Sequence, residues 1–309
     1  MSTVVVFPGQ GSQKMGMARD FVQAHPESQA VFEAASDALS LDMSALCFED
    51  DPRLHLTEYT QPAILTAEIA MLRGLQAEYG LSAERWGGHS LGEYTALVAA
   101  GAIDLTCAVR VVRERGRQMQ QAVPAGQGAM AAIIQRDLDL DLVAGCLDGV
   151  DIANHNAVNQ VVISGPAADV EAAVSRYQAT PAGAGAKVRM LQVSAPFHSR
   201  MMAPIEAPFQ AVLAEQTWQA EASRAVVSNV TGTMHDGTLS GLLHALTAQI
   251  SGTVRWVDCM QTLIQGAERI IEVGPGRPLR GFFRGMPELG ETPLHAITNL
   301  VSAGHALKD

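Results

Sequence analysis

Trp86-Gly87-Gly88-His89-Ser90-Leu91-Gly92-Glu93-Tyr94 is the stretch from which the fold of this chain is read. It contains Gly-x-Ser-x-Gly, at Gly88, Ser90 and Gly92. A serine in that setting sits on a sharp strand-to-helix turn whose flanks have no room for side chains, so glycine is required there. The turn presents the hydroxyl at the carboxyl edge of a sheet, and the following helix aims free N–H groups at it. That helix is written in Glu93-Tyr94-Thr95-Ala96-Leu97-Val98-Ala99-Ala100, and Gly101 just past it is a helix stop. The bare motif also fits a tight turn with no chemistry, so its meaning depends on the stretches around it.

Upstream, Val4-Val5-Val6-Phe7 is a short apolar run of the kind found in a buried parallel strand. Pro8-Gly9-Gln10-Gly11-Ser12-Gln13 ends it. This is either a plain strand-to-helix loop or a loop that supplies one oxyanion-hole N–H, since such sites take one donor after the nucleophile and one from another strand's loop. It is neither a Walker A loop nor a dinucleotide fingerprint. Residues 14–85 read as mostly helical. Leu56 to Pro62 breaks the pattern, and a long helix is expected from about Ala63 to Tyr79. The strand into Ser90 is short and weak in sequence, and is placed because the turn needs one.

Downstream, a helix from about Leu105 to Ala122 carries four arginines. At about 100° per residue, Arg110, Arg113 and Arg117 share one face, either a solvated face or a patch for an acidic partner. Arg115 instead falls near Ala108, Val112 and Met119, on the apolar side. A guanidinium there needs an anion: an internal Asp or Glu, which spacing alone favours, or a substrate carboxylate gripped by its planar fork.

Pro124-Ala125-Gly126-Gln127-Gly128 reads as a hinge. Beyond it, strand-helix-strand-strand-helix-strand runs to Val193, the ferredoxin-like order. Then comes Ser194-Ala195-Pro196-Phe197-His198-Ser199. His198 is on a loop at the return to the larger lobe, where it could close over Ser90 and, with a near-neutral pKa, exchange its proton. Ala225 to Val230, Arg269 to Val273 and Leu294 to Thr298 read as further strands, and the polar tail as frayed. The expected fold is α/β: a large α/β-hydrolase-like parallel-sheet domain (1–123 and 195–309) with an inserted small ferredoxin-like subdomain (124–194).

The 309 residues are 48% hydrophobic and 17% charged, enough for a large core. A formal net charge of −11 and the lack of a Lys/Arg-rich run argue against a nucleic-acid partner. Four scattered cysteines suggest neither a zinc site nor a disulfide framework, and reduced thiols in a cytosolic setting are expected. No basic leader precedes Val4 and no apolar run is long enough to span a bilayer, so no membrane association is expected. Asn229-Val230-Thr231 matches a glycosylation sequon, read as fortuitous in a chain without an export signal.

Three stretches together carry a family resemblance: Phe7-Pro8-Gly9-Gln10-Gly11-Ser12-Gln13, Gly88-His89-Ser90-Leu91-Gly92-Glu93-Tyr94 and Phe197-His198-Ser199. Thr60-Gln61-Pro62, Glu114-Arg115-Gly116, Ala153-Asn154-His155-Asn156, Asn229-Val230-Thr231-Gly232 and Glu272-Val273-Gly274-Pro275-Gly276 add to it in order. From Val4 to about Leu300 the chain resembles the malonyl-CoA:acyl-carrier-protein transacylases of fatty-acid synthesis and, equally, the stand-alone acyltransferases that load polyketide synthases.

That resemblance implies ping-pong acyl transfer from malonyl-CoA to the phosphopantetheine thiol of an acyl carrier protein; no metal or bound cofactor is implied, a cytoplasmic setting is expected, and nothing in the sequence demands more than a monomer. It implies Ser90 as nucleophile, His198 as general base and acid, and an oxyanion hole from the N–H groups of Gln10 and Leu91. It further implies the backbone carbonyl of Gln249 as the group orienting His198, and Arg115 as the clamp on the malonyl carboxylate. Gln61 and Asn156 would line the pocket. Phe197 would be a wall favouring malonyl over branched units, and its place before the histidine, where the fatty-acid enzymes commonly carry a small residue, leans toward the polyketide side. Competing readings are an acyl-thioester hydrolase, a non-catalytic carrier-protein docking module and the transferase subunit of a malonate decarboxylase.

Overall fold

The computed structural model describes residues 2–124, 126–193 and 195–307. Ala125 of the expected hinge and Ser194 at the expected lobe boundary lie outside the described residues. The strands are β1 (Thr3–Phe7), β2 (Arg85–Gly88), β3 (Gly128–Ile134), β4 (Asp151–Ala157), β5 (Gln160–Pro166), β6 (Lys187–Met190), β7 (Arg269–Val273) and β8 (Leu294–Ile297).

They form two four-stranded sheets. The first, in the order β2-β1-β7-β8, is parallel throughout. β1 is buried along its whole length, as its unbroken apolar run requires of a strand covered on both faces. β2 has little strand propensity of its own and is held by its neighbours. It pairs with β1 in register Val5↔Trp86 and Phe7↔Gly88, and Phe7 stacks on Trp86 at 6.2 Å.

The second sheet, β4-β5-β3-β6, is antiparallel and carries the helices Leu140–Gly145 and Ala167–Gln178. Its connectivity is the ferredoxin-like one expected from the sequence. The segment at Val254 bridges β4 of the small sheet: His155 N–H donates to the Val254 carbonyl at 3.0 Å, and Val254 N–H to the Ala153 carbonyl at 2.8 Å. One face of the small sheet (Met130, Ala132, Ala153, Val162) packs with Leu191, Val193 and Phe197, so that this sheet supplies one wall of the cleft.

Several elements differ from the sequence reading. The long helix is Thr57–Tyr79, so no break precedes Ala63. Pro62 stands inside it and removes one intrahelical donor. Even so, Thr57 and Thr60 to Ala63 are all buried against neighbouring helices, and the Thr60 hydroxyl anchors the first turn by donating to the Leu54 carbonyl at 2.7 Å. Ala225 to Val230 makes only single bridges, Val226 to Trp86 and Val227 to Met234. Ser228 N–H donates to the Thr233 carbonyl at 2.9 Å, and the N–H after it, of Asn229, donates to the Glu93 carboxylate at 3.1 Å. The C-terminal stretch expected to fray is a helix over Leu300–Leu307, its first turn capped by Asn299 Oδ1 accepting from Ser302 N–H at 2.8 Å. Pro278–Phe283 is a further helix that the sequence reading did not foresee. Among the described residues no helix is long and apolar enough to cross a membrane.

The glycines of the turn are forced by contact. A Cβ on Gly88 would overlap the Gly92 carbonyl, and one on Gly92 would overlap the Phe7 carbonyl. Gly88→Ala is therefore expected to destabilise the fold by about 3 kcal/mol or more, because the obstacle is backbone that cannot yield. Thermal or denaturant unfolding checks this, and an unchanged melting temperature would contradict it.

Candidate active site

Close packing of β1, β2 and the Leu91–Ala99 helix leaves Ser90 at φ 53°, ψ −99°. A non-glycine residue held there costs on the order of 1–3 kcal/mol and persists only when its surroundings enforce it. Asn229 is what holds it. Its Oδ1 accepts from the Ser90 N–H at 2.6 Å, and its Nδ2 donates to the Gly88 carbonyl at 2.8 Å. His198 is likewise at positive φ (55°), in a turn stapled by the Ser199 hydroxyl donating to the Pro196 carbonyl at 2.7 Å.

These two strained residues meet. Ser90 Oγ stands 2.8 Å from His198 Nε2, and His198 Nδ1 stands 2.8 Å from the backbone carbonyl of Gln249. A carbonyl only accepts, so Nδ1 carries the proton and Nε2 offers its lone pair to the serine hydroxyl. Burial pushes the His198 pKa down to about 3, and the nearby Arg115 guanidinium acts in the same direction. The imidazole is therefore neutral and available as a base at physiological pH.

Arg115 is buried, as its place on the helical wheel required. The internal salt bridge that spacing favoured is not formed. Among the described residues no Asp or Glu ion-pairs with it, and its hydrogen bonds go to three neutral oxygens. Nη1 donates to Gln61 Oε1 at 2.9 Å; Nη2 donates to Gln249 Oε1 at 2.8 Å and to Ser90 Oγ at 3.1 Å. The guanidinium also lies 5.4 Å from the centre of the Tyr94 ring. A guanidinium stays charged in a protein even when burial lowers its pKa, as it does here. The site thus holds a fixed positive charge beside the serine, contacted by neutral oxygens and the Tyr94 ring and favoured through space by the Glu93 side chain.

Ser90, His198 and Arg115 line a cavity of about 130 Å³ together with Gln10, Leu91, Gln61 and Phe197. Leu91 opens its helix, where an N–H has no intrahelical acceptor. Gln10 is held over the cavity by its side chain, which donates to Thr57 Oγ1 at 3.1 Å. Asn156 is not on this wall. Its Oδ1 lies 2.7 Å from His89 Nε2, and it lines an adjoining cavity of about 260 Å³. Asn154, two residues earlier on β4, lines both. The sequence reading passed over Asn154 and His89, although both lie within stretches quoted for the resemblance, and it did not foresee the structural work of Asn229. The sequon at Asn229 is accounted for, since its side chain is buried in the turn. The Arg110, Arg113 and Arg117 face is largely neutralised: Arg113 pairs with Glu58 at 3.3 Å, Arg117 with Glu114 at 2.5 Å, and Arg110 donates to the Ala38 carbonyl at 3.1 Å.

A serine activated by a neutral histidine, beside a buried cation and at the N-terminus of a helix, is the equipment of acyl transfer. The acyl transferase domain family matches residues 4–275, and the chain belongs to it. Among curated proteins it is similar to the malonyl CoA-acyl carrier protein transacylase of Escherichia coli K12, at 40% identity over 284 residues covering 89% of this chain and 90% of that protein. It is similar also to the Bacillus subtilis protein of the same name, at 39% identity over 287 residues, covering 90% of this chain and 88% of that one. Among solved structures it superposes on a malonyl-transacylase in complex with its type II polyketide synthase acyl-carrier protein, with a TM-score of 0.91, 36% identity and coverage of 100% and 99%.

The lowered His198 pKa makes a prediction independent of any substrate. In the folded chain the imidazole should stay neutral between about pH 5 and 8. Arg115→Ala should move its titration upward, because a repelling charge is removed. Histidine NMR titration checks both, and protonation of His198 near its unperturbed pKa in the unaltered chain would contradict the first.

Proposed function

We propose that this chain transfers a malonyl group from coenzyme A to the phosphopantetheine thiol of an acyl carrier protein, in fatty-acid or polyketide synthesis in the cytoplasm. The observation that carries the reading is the guanidinium of Arg115, 3.1 Å from the nucleophile's oxygen and without a carboxylate partner among the described residues. A buried charge in that state is costly unless something anionic completes it. The far carboxylate of a malonyl group, bound with its thioester carbon at Ser90, supplies that anion. An acetyl group would leave the guanidinium desolvated and unpaired, and this gives strong discrimination.

In the first half-reaction Ser90 Oγ attacks the thioester carbon while its proton passes to His198 Nε2. The N–H groups of Gln10 and Leu91 receive the developing oxyanion. The C–S bond then breaks, and His198 returns the proton to the departing coenzyme A thiolate. In the second half His198 takes the proton of the carrier's thiol and the thiolate attacks the malonyl-serine ester. The C–O bond breaks and Ser90 regains its proton. A thiolate leaves easily, so a Ser-His pair oriented by the Gln249 carbonyl suffices without an acidic third member. The ester has to outlast water until the carrier arrives, which the small, mostly apolar-walled cavity favours. Gln61 is assigned to hold Arg115, Phe197 to close the wall against branched acyl groups, and Asn156 to steady His89 from the adjoining cavity.

Residues 1–123 and 195–309 are assigned to the catalytic subdomain and 124–194 to the small one, with the substrate in the cleft between them. All the groups assigned here come from one chain, so a monomer is sufficient for the chemistry.

Intact-protein mass after mixing with malonyl-CoA tests the reading. A malonyl adduct is expected on the unaltered chain and none on Ser90→Ala. Arg115→Ala should lower kcat/KM for malonyl-CoA by about 10²-fold or more relative to acetyl-CoA. Rapid release of free malonate without an accumulating adduct would point to a hydrolase instead. Neither adduct nor turnover would leave a docking module.

Acylation should also persist below the ordinary histidine pKa. The base must be neutral, so activity falls only as pH drops through the folded His198 value, which burial has lowered. A pH-rate profile of Ser90 acylation with its acid limb near pH 6.5 (about the free-imidazole value) would contradict this.

A further inference from the structure

Glu93 is 1% exposed and does not line the cavity. Two of its hydrogen bonds nevertheless lead toward the reacting groups, through Gln249 and Asn229, and a third ties it to His235. Its Oε2 accepts from Gln249 Nε2 at 2.6 Å and from Asn229 N–H at 3.1 Å, and its Oε1 faces His235 Nε2 at 2.9 Å. The same Gln249 amide gives its Oε1 to Arg115 and donates through Nε2 to the Ser90 carbonyl at 3.1 Å. His235, Glu93, Gln249 and Arg115 thus form one buried chain of polar contacts ending at the guanidinium.

We propose that Glu93 is a positioning residue for acyl-group selection: it fixes the Gln249 amide, and through that amide the aim of Arg115. The inference rests on Arg115 being the malonyl clamp.

The Ser90 carbonyl only accepts, and Glu93 Oε2 also accepts from the Asn229 N–H, so Gln249 presents its NH2 to these two and its oxygen to Arg115. The reversed amide would set two oxygens against each other on one side and two sets of donors on the other. The second support of Arg115 is much weaker in this respect. Gln61 also accepts from the guanidinium, but among the described residues the one acceptor of its own NH2 is Met119 Sδ, at 3.8 Å. A thioether is a weak acceptor and enforces little. Glu93, together with the Ser90 carbonyl that accepts from the same NH2, therefore gives the clamp one orientation, and Glu93 is the side chain of that pair. His198 is held by the main-chain carbonyl of Gln249, which a change of side chain leaves in place. Substrate selection and proton transfer are thus separable at this one residue, and losing Glu93 should damage the first more than the second.

The test uses the full chain and initial transfer rates with malonyl-CoA and acetyl-CoA. Glu93→Ala and Gln249→Met should each lower kcat/KM for malonyl about tenfold to a hundredfold more than for acetyl, mainly through KM. Glu93→Gln should restore most of the selection, because its carbonyl still accepts from Gln249 and Asn229 while its NH2 meets His235. In an Arg115→Ala background Glu93→Ala should produce no further change in the malonyl-to-acetyl ratio. Equal losses for the two acyl groups, or an unchanged ratio, would overturn the role. Should Glu93→Ala fail to fold, Gln249→Met decides by the same ratio. An unaltered chain that takes no malonyl adduct overturns the clamp and this role with it. One that takes the adduct while the variants keep its selectivity overturns the role of Glu93 alone.

Discussion

Backbone contact at the nucleophile turn governs the rest of the structure. β1, β2 and the helix after Ser90 come so close that Gly88 and Gly92 can carry no side chains. The approach forces Ser90 to positive φ and points its hydroxyl into the cleft. Its cost is met by contacts distant in sequence. Asn229, from a segment that joins the sheet through a single bridge to Trp86, takes the Ser90 N–H and the Gly88 carbonyl. The strain is held where a displaced hydroxyl would lose its 2.8 Å contact with His198.

Around that turn stands Arg115, among the described residues the one buried Lys or Arg, without a matching ion pair. A carboxylate against Arg115 would neutralise it and leave nothing for an anionic acyl group to complete. The acid that is present, Glu93, lies one amide away and pairs with His235. Dipoles from Gln61 and Gln249 carry the guanidinium instead. The same charge helps hold His198 neutral, so that the clamp and the base reinforce one another electrostatically.

Much of this was legible before any coordinates. The apolar run of β1, the Gly-x-Ser-x-Gly turn and the strand order of the inserted lobe follow local rules of burial, glycine conformation and chain connectivity. Ser90, His198 and Arg115 were legible as residues because their types and sequence settings are unusual: a serine between glycines, a histidine after Pro-Phe, an arginine on an apolar helix face. Elements whose stability is tertiary were misread. The start of the Thr57–Tyr79 helix was placed too late because Pro62 lowers local propensity, which burial overrides. Val226 and Val227 have strand propensity but little ladder to join.

The sequence by itself determined the chemistry available to this protein: a nucleophile on a glycine turn, a histidine, a lone arginine on a buried face and two glycine-rich loops. It determined the two-lobed α/β architecture as well, because periodicity and glycine placement act over a few residues. What only the tertiary structure decided is which groups meet. Arg115 faces amides and the serine where an acid was favoured, and Asn154 where Asn156 was expected lines the cleft. Glu93, Asn229 and Gln249, far apart along the chain, lock the site together. A hydrogen bond depends on distance and direction to within fractions of an ångström, and no local rule carries that across a separation of 156 residues.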